Sequence, residues 1–419
     1  MNVVYKKAPA LGPKSGRNAM KRLLTVAVLS AVFASGPAFA QVNVKIGVLT
    51  DMSSLYADIG GPGSVAAAKM AIADFTAEHK DIKVELVVGD HQNKPDVGAN
   101  IAGQWYDVDK VDMIIDTPNS GVALAVSQVA NQKNKIYIVS GAATSDLTGA
   151  KCNANTIHWS YDTWMLANGT GKAMVRTGGD TWFFLTADYA FGQSLERDTS
   201  AVVEANGGKV LGKVRHPLNT NDFSSFLLQA QASKAKVIGL ANAGGDTINS
   251  IKQASEFGIV KGGQSLAGLL VFASDVAALG LPTAQGLVLT ETWYWDMNDA
   301  NRAWTKRWQQ ERPGKYPTMI HAGVYSGILH YLKAIEALKG PKDGKTEVAK
   351  MKEMPTDDIL FGKGTIRADG RKIHPAYLFE VKKPEESKYP GDFYKLRATI
   401  PADEAFRPLK DGNCPLVSG

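Results

Sequence analysis

The sequence predicts an α/β protein made of two doubly wound parallel-sheet lobes, and three observations carry that prediction. Short apolar runs suited to strands alternate with segments whose apolar residues recur every three or four positions. The alternation stops at a loop rich in Ser, Thr, Gly and Asn, residues 140–155, and then restarts. The chain is also long for one core, with 419 residues, or 379 once the first 40 are set aside.

Val44, Ile46, Val48 and Leu49 make a run suited to a buried parallel strand. An Asp/Ser/Gly-rich loop over 50–61 follows, and a helix begins near Gly63 with Val65, Ala68, Ile72 and Phe75 on one stripe. In open α/β sheets ligands sit beyond the carboxyl ends of strands, where helix N-termini aim free N–H groups at them. The 50–61 loop is therefore the first place to expect a ligand.

Strands over 82–88, 111–115 and 136–139 and helices over 96–108 and 120–132 continue the first series. After the 140–155 loop, the run His158-Trp159-Ser160-Tyr161-Asp162 leads into a helix ending near Gly178. Strands over 182–186, 209–214, 237–240, 266–271 and 286–290, with helices over 194–205, 223–232 and 247–257, make the second series. Helices around Trp304 and over 318–338 need a sheet to cover, and the first lobe is the better candidate, so the chain crosses between lobes more than once. Short strands over 365–367, 376–381 and 393–396 end the reading.

The first 40 residues read as an export signal. Lys21 and Arg22 precede the apolar run 23–33, and Ala38-Phe39-Ala40 is a small-x-small cleavage site, so the peptide is expected to be cut after Ala40 and the chain to be exported. Met20, followed by Lys-Arg, marks the expected start of translation. A membrane anchor needs roughly 20 apolar residues, more than this run provides. The whole chain has 47 basic and 41 acidic residues, but the first 40 hold six of the basic ones and no acid. The remainder is balanced at 41 against 41, which removes the positive footprint that nucleic-acid binding requires. Cys152 and Cys414 are the only cysteines, and an even count in an exported chain favours a disulfide that pins the tail near the middle of the chain.

Enzyme motifs are missing. There is no GxSxG, HExxH, CxxC or GxGxxG, and the seven histidines have no ligand spacing, so no catalytic residue, metal or cofactor is expected. Gly169-Thr170-Gly171-Lys172 has Ala173 where a phosphate loop needs Ser or Thr, and it reads instead as a flexible or close-packed point within a helix.

Five strings in order resemble one family: KIGVLTDMSS at the first strand, SGAATSDLT at 140–148, TADYAFGQSL at 186–195, DFSSFLLQAQASKAKVIGL at 222–240 and GTIRADGRKIHPAYLFEV at 364–381. Together they are similar to the periplasmic solute-binding proteins of branched-chain amino acid ABC transporters (leucine/isoleucine/valine-binding type). The resemblance implies the periplasm as the destination of the exported chain and the type I fold, two lobes joined by three crossovers that close on ligand like a hinge. It puts residues 41–160 and 293–360 in lobe one and 161–292 and 361–419 in lobe two.

The same resemblance implies a carboxylate grip at Ser120, Ala142 and Thr144. Phe191 matches a family aromatic, Ala243 stands near the place of a second, and Asp275 lies one step from where an acidic partner for an ammonium would be. Tyr56, Tyr161 and Trp293 are further candidates for stacking on a flat ligand. A grip that keeps the carboxylate donors but loses the ammonium partner favours an acid without an amine, an aromatic acid above all, because an unpaired buried ammonium costs several kcal/mol. The alternatives are an amino acid or amide receptor, with Asp275 or Asp246 reaching the amine, and a sensor reporting to a membrane kinase or chemoreceptor. The expected partners are the ligand and the permease and ATPase subunits of an importer.

Overall fold

The structure is a computed structural model that describes residues 41–417; the signal peptide, its cleavage after Ala40 and the start at Met20 lie outside the described residues. In the first sheet, β1 (Val42–Thr50), β2 (Ile82–Asp90), β3 (Met113–Asp116), β4 (Ile136–Val139) and β5 (Thr156–His158) run parallel in the order β2-β1-β3-β4-β5. Every residue of β3, β4 and β5 is buried, as expected of strands covered on both faces.

The second sheet contains β6 (Thr181–Ala187), β7 (Lys209–His216), β8 (Val237–Ala241), β9 (Ser265–Gly268) and β10 (Val288–Glu291), all parallel. Three short strands, β11 (Thr356–Asp358), β12 (Gly362–Ile366) and β13 (Lys372–Ile373), form a separate antiparallel sheet. Then β14 (Ala376–Val381) and β15 (Tyr394–Ile400) extend the second sheet antiparallel, in the order β15-β14-β10-β9-β8-β6-β7.

The helix Met319–Ala337 returns to the first sheet and packs beside Gly61–Glu78. His321 makes the join: its Nδ1 accepts from the Thr318 N–H at 3.0 Å, so Nε2 carries the proton and donates to the Gly60 carbonyl at 2.9 Å. Burial lowers this imidazole to about 4, which keeps it neutral. Trp308 donates its indole N–H to the Gly63 carbonyl at 3.0 Å, and a side chain at Gly63 would overlap the His321 ring.

Several elements differ from expectation. The strand expected over 266–271 ends at Gly268, where a Cβ would press on the Val271 side chain; Leu269, Leu270 and Phe272 enter the core shared by both sheets and Val271 that of the second. The helices Ala273–Leu279 and Gly344–Glu353 are additional to the expected elements. The second is rich in Lys and Glu and starts on the side chain of Asp343, which accepts from the Thr346 N–H. His158 donates its backbone N–H to the Gly370 carbonyl at 2.9 Å, so β13 lies along the β5 edge. The tail is tied to the loop after β4 by the Cys152–Cys414 disulfide, with Cα atoms 5.6 Å apart. Gly169 falls in a wide turn, Ala167–Gly171, where a Cβ would overlap the Thr290 side chain, so it is a close-packed point.

Candidate functional site

The loops at the carboxyl ends of the two sheets meet. After β1, the buried carboxylate of Asp51 organises the turn: Oδ1 accepts from the Ser54 N–H at 2.9 Å, and Oδ2 accepts from the Tyr56 N–H at 2.8 Å and from Asn93 Nδ2 at 2.7 Å. The turn sends Tyr56 toward the second sheet, where its hydroxyl lies 2.6 Å from that of Tyr189. Tyr189 precedes the helix Ala190–Ala205, whose first turn buries Phe191. Beyond β8, Ala243 is buried and Gly244 takes a φ of +58°; a side chain there would press on the Leu55 carbonyl and the Tyr56 ring. The small pair Ala243-Gly244 therefore lets the two loops approach.

On the first sheet, the last residue of β3, Asp116 (φ 95°), and the next, Thr117 (57°), both have positive φ and turn the chain sharply toward the helix Ser120–Lys133. Asn119 caps that helix by accepting from the Val122 N–H at 3.1 Å. Ser120 is thus not the cap. Its Oγ accepts from the Thr144 N–H at 3.2 Å, which brings the two expected carboxylate contacts together. Thr144 Oγ1 sits 2.7 Å from Ser194 Oγ on the helix of the second sheet. Beside them the Ala142 carbonyl accepts from His158 Nε2 at 2.8 Å, and burial and the Arg371 charge hold that imidazole well below its usual range.

Tyr161 donates its hydroxyl to the Gly141 carbonyl at 2.6 Å and meets Phe272 edge-on at 6.2 Å. Trp293, just beyond β10, is buried, packs edge-on to Trp304 at 5.5 Å, and its indole N–H has no partner among the described residues. Tyr56, Tyr161, Phe191, Ala243, Phe272 and Trp293 all belong to one continuous apolar cluster that includes residues of both sheets.

Besides Asp51, other buried carboxyl groups stand near these residues. Asp275 Oδ2 accepts from the Phe272 N–H at 3.0 Å, and burial pushes the group up to about 7. Asp246 accepts from the Thr220 N–H at 2.9 Å and is pushed by burial to about 6. Asp116 is raised to about 6 by burial, opposed by the Ser64, Thr50 and Ser140 hydroxyls. Glu291, at the end of β10, accepts from the Tyr394 hydroxyl at 3.0 Å and is raised by burial. Sequence reasoning missed Tyr189, Ser194, Phe272, Asp116 and Glu291. Asp116 had a visible cue, an acid closing the apolar run Met113–Asp116. A surface hollow lined by Met174, Ile251, Val260, Leu266 and Leu287 lies at the amino ends of β9 and β10, away from these loops.

Two α/β sheets whose strand-end loops enclose a buried, partly polar cluster define a two-lobed ligand receptor of the type I class. Residues 43–388 match the periplasmic binding protein family, and the chain belongs to it. A periplasmic binding protein of Burkholderia mallei is 52% identical, with a TM-score of 0.87 over 90% of this chain and 100% of that one. A branched-chain amino acid ABC transporter periplasmic ligand-binding protein of Burkholderia xenovorans LB400 is 39% identical, TM-score 0.79, over 89% and 99%.

The Leu/Ile/Val-binding protein homolog 6 of Brucella melitensis is 27% identical over 88% of this chain and 95% of its own. A solute-binding protein of an ABC transporter from Rhodopseudomonas palustris HaA2, in complex with p-hydroxybenzoic acid, is 25% identical, TM-score 0.76, over 86% and 97%. The chain is accordingly a periplasmic ligand-binding receptor of ABC transporters, of the branched-chain amino acid type, and not an enzyme. Its family works with permease components, and no described helix is long and apolar enough to cross a membrane.

Proposed function

We propose that the receptor takes a small aromatic carboxylate between its strand-end loops and delivers it to the permease and ATPases of an importer. The carrying observation is that the buried rings Tyr56, Tyr161, Phe191 and Trp293 all belong to the apolar core shared by the two sheets, while Ser120 and Thr144 meet at the strand ends of the first. Flat faces suit a planar ring, and neutral donors at a helix start suit its carboxylate without a buried countercharge. The relative from R. palustris that holds p-hydroxybenzoic acid supports the same ligand class.

A second reading, an amino acid ligand, is favoured by Asp275. Its carboxyl is buried with the Phe272 N–H as its hydrogen-bond donor, and an ammonium would stabilise its ionised form. The movable units in either reading are the expected lobes, 41–160 with 293–360 against 161–292 with 361–419. Export with cleavage after Ala40 belongs to the proposal, and the intact mass of the periplasmic protein checks it.

A thermal-shift panel on the chain from Gln41, stripped of carried ligand by unfolding and dialysis, tests the ligand. Binding at a hundredfold excess over Kd adds roughly 2.7 kcal/mol. Benzoate and 4-hydroxybenzoate are expected to raise the melting temperature. A rise with leucine or valine alone would overturn the aromatic reading in favour of the Asp275 one.

A further inference from the structure

Ser145, the residue after the Thr144 grip, is held from three directions. Its N–H donates to Thr163 Oγ1 at 3.0 Å, and its hydroxyl donates to Asp198 Oδ2 at 2.7 Å while accepting from Arg197 Nη2 at 3.0 Å. The third hold comes from the tail, where Arg407 Nη2 donates to the Ser145 carbonyl at 3.0 Å. The fit is close. The guanidinium passes between Gly149 and Gly412, and a Cβ at Gly149 would lie 2.7 Å from Arg407 Nη2 and 2.9 Å from the Gly412 carbonyl.

Little in the tail itself keeps Arg407 there, because its helices, Ala402–Ala405 and Leu409–Gly412, are single turns. Contacts with the rest of the chain do: Phe406 is buried with the Arg371 guanidinium 4.6 Å over its ring, and Asn168 Nδ2 donates to the Glu404 carbonyl at 2.8 Å. Arg367 Nη1 donates to the Arg407 carbonyl at 2.8 Å, with Arg367 itself paired to Asp369 at 2.6 Å. The Cys152–Cys414 bridge then fastens the tail to the same loop; the Cys152 N–H donates to the Gly149 carbonyl at 3.0 Å.

We propose that Arg407, fastened by the Cys152–Cys414 bridge, is a positioning residue for ligand binding, fixing Ser145 and through it the Ser120–Thr144 grip. This inference rests on the proposed ligand site. A planar peptide separates Ser145 from Thr144, so movement of one is passed directly to the other. The tail, 262 residues away in sequence, thereby becomes part of the binding apparatus without touching ligand.

The test uses the whole chain from Gln41 with Arg407→Gln, Arg407→Lys, the double variant Cys152→Ser with Cys414→Ser, and Ser120→Ala as site control. The probes are 4-hydroxybenzoate and L-leucine. Arg407→Gln and the double variant are expected to speed amide exchange at 144–146 without ligand and to weaken binding of the accepted probe by about tenfold. Arg407→Lys, which can still donate to the carbonyl, is expected to recover part of the affinity. A merely structural role would lower the melting temperature and leave Kd, measured well below melting, unchanged. Unchanged exchange at 144–146 overturns the inference whatever the ligand, as does unchanged affinity in Arg407→Gln when Ser120→Ala binds more weakly. If Ser120→Ala changes neither probe, the site reading itself fails, and the positioning role fails with it.

Discussion

The hydroxyl oxygens of Tyr56 and Tyr189 lie 2.6 Å apart and join the loop after β1 to the loop after β6. This bond links the two sheets at their facing ends. Tyr56→Phe and Tyr189→Phe are each expected to weaken ligand binding by about 1 kcal/mol. Because both remove the same bond, the double variant should be little worse than either single one. Calorimetric titration of the four proteins checks this, and additive losses would mean that the two hydroxyls act independently.

Asp275 distinguishes the two ligand classes through pH. Burial pushes its carboxyl up to about 7, with the Phe272 N–H opposing and the Asp58 charge adding to the rise. It is mostly neutral near pH 6 and ionised near pH 8. An anionic ligand is repelled by the ionised form, so aromatic-acid affinity is expected to fall as pH rises through about 7. An amino acid ammonium would show the opposite slope. Asp275→Asn should flatten either profile, which titrations at about pH 6, 7 and 8 would read out.

Glu347 governs stability away from the site. It lies buried in Gly344–Glu353, its Oε1 accepts from the Lys342 N–H at 2.8 Å, and burial raises it to about 8. A carboxyl raised in the folded state contributes stability that is full below its unfolded value of 4.5 and is lost as pH climbs through about 8. Glu347→Gln keeps the acceptor and removes the charge. It is expected to stabilise the ligand-free protein by about 1–3 kcal/mol at pH 9 and to be nearly neutral at pH 5. Denaturant titrations at both pH values test the sign; an equal effect at both would show that ionisation is not the cause.

Much of the fold was legible because its cues are local. Strand β4 and β14 fall on the residues that their apolar runs indicated, and the helix Met319–Ala337 lies within a residue of its periodic stripe. Gly344–Glu353 was not legible, since its charged residues hide a weak stripe and its buried face is defined by the sheet it covers. The strand expected over 266–271 overruns Gly268, where β9 stops, because apolarity reports burial and not the partner; Leu269 and Leu270 enter the core shared by both sheets and Val271 the core of the second. Within the candidate site, Ser120 and Thr144 were identifiable and prove to be neighbours. Tyr189 and Ser194 were not, because the opposite sheet supplies their partners.

The sequence by itself determined the succession of strands and helices, the two-sheet class, the family and the pairing of the only two cysteines. These follow from hydrophobic period, turn residues and composition, which act over a few positions or over the chain as a whole. Only the tertiary structure decided which loops face one another, that Asp275 accepts from its own Phe272 N–H, and that the tail reaches back to Ser145 through Arg407. The physical reason is that side-chain direction and hydrogen-bond partner are set by packing between segments far apart in sequence, and no local pattern encodes that packing.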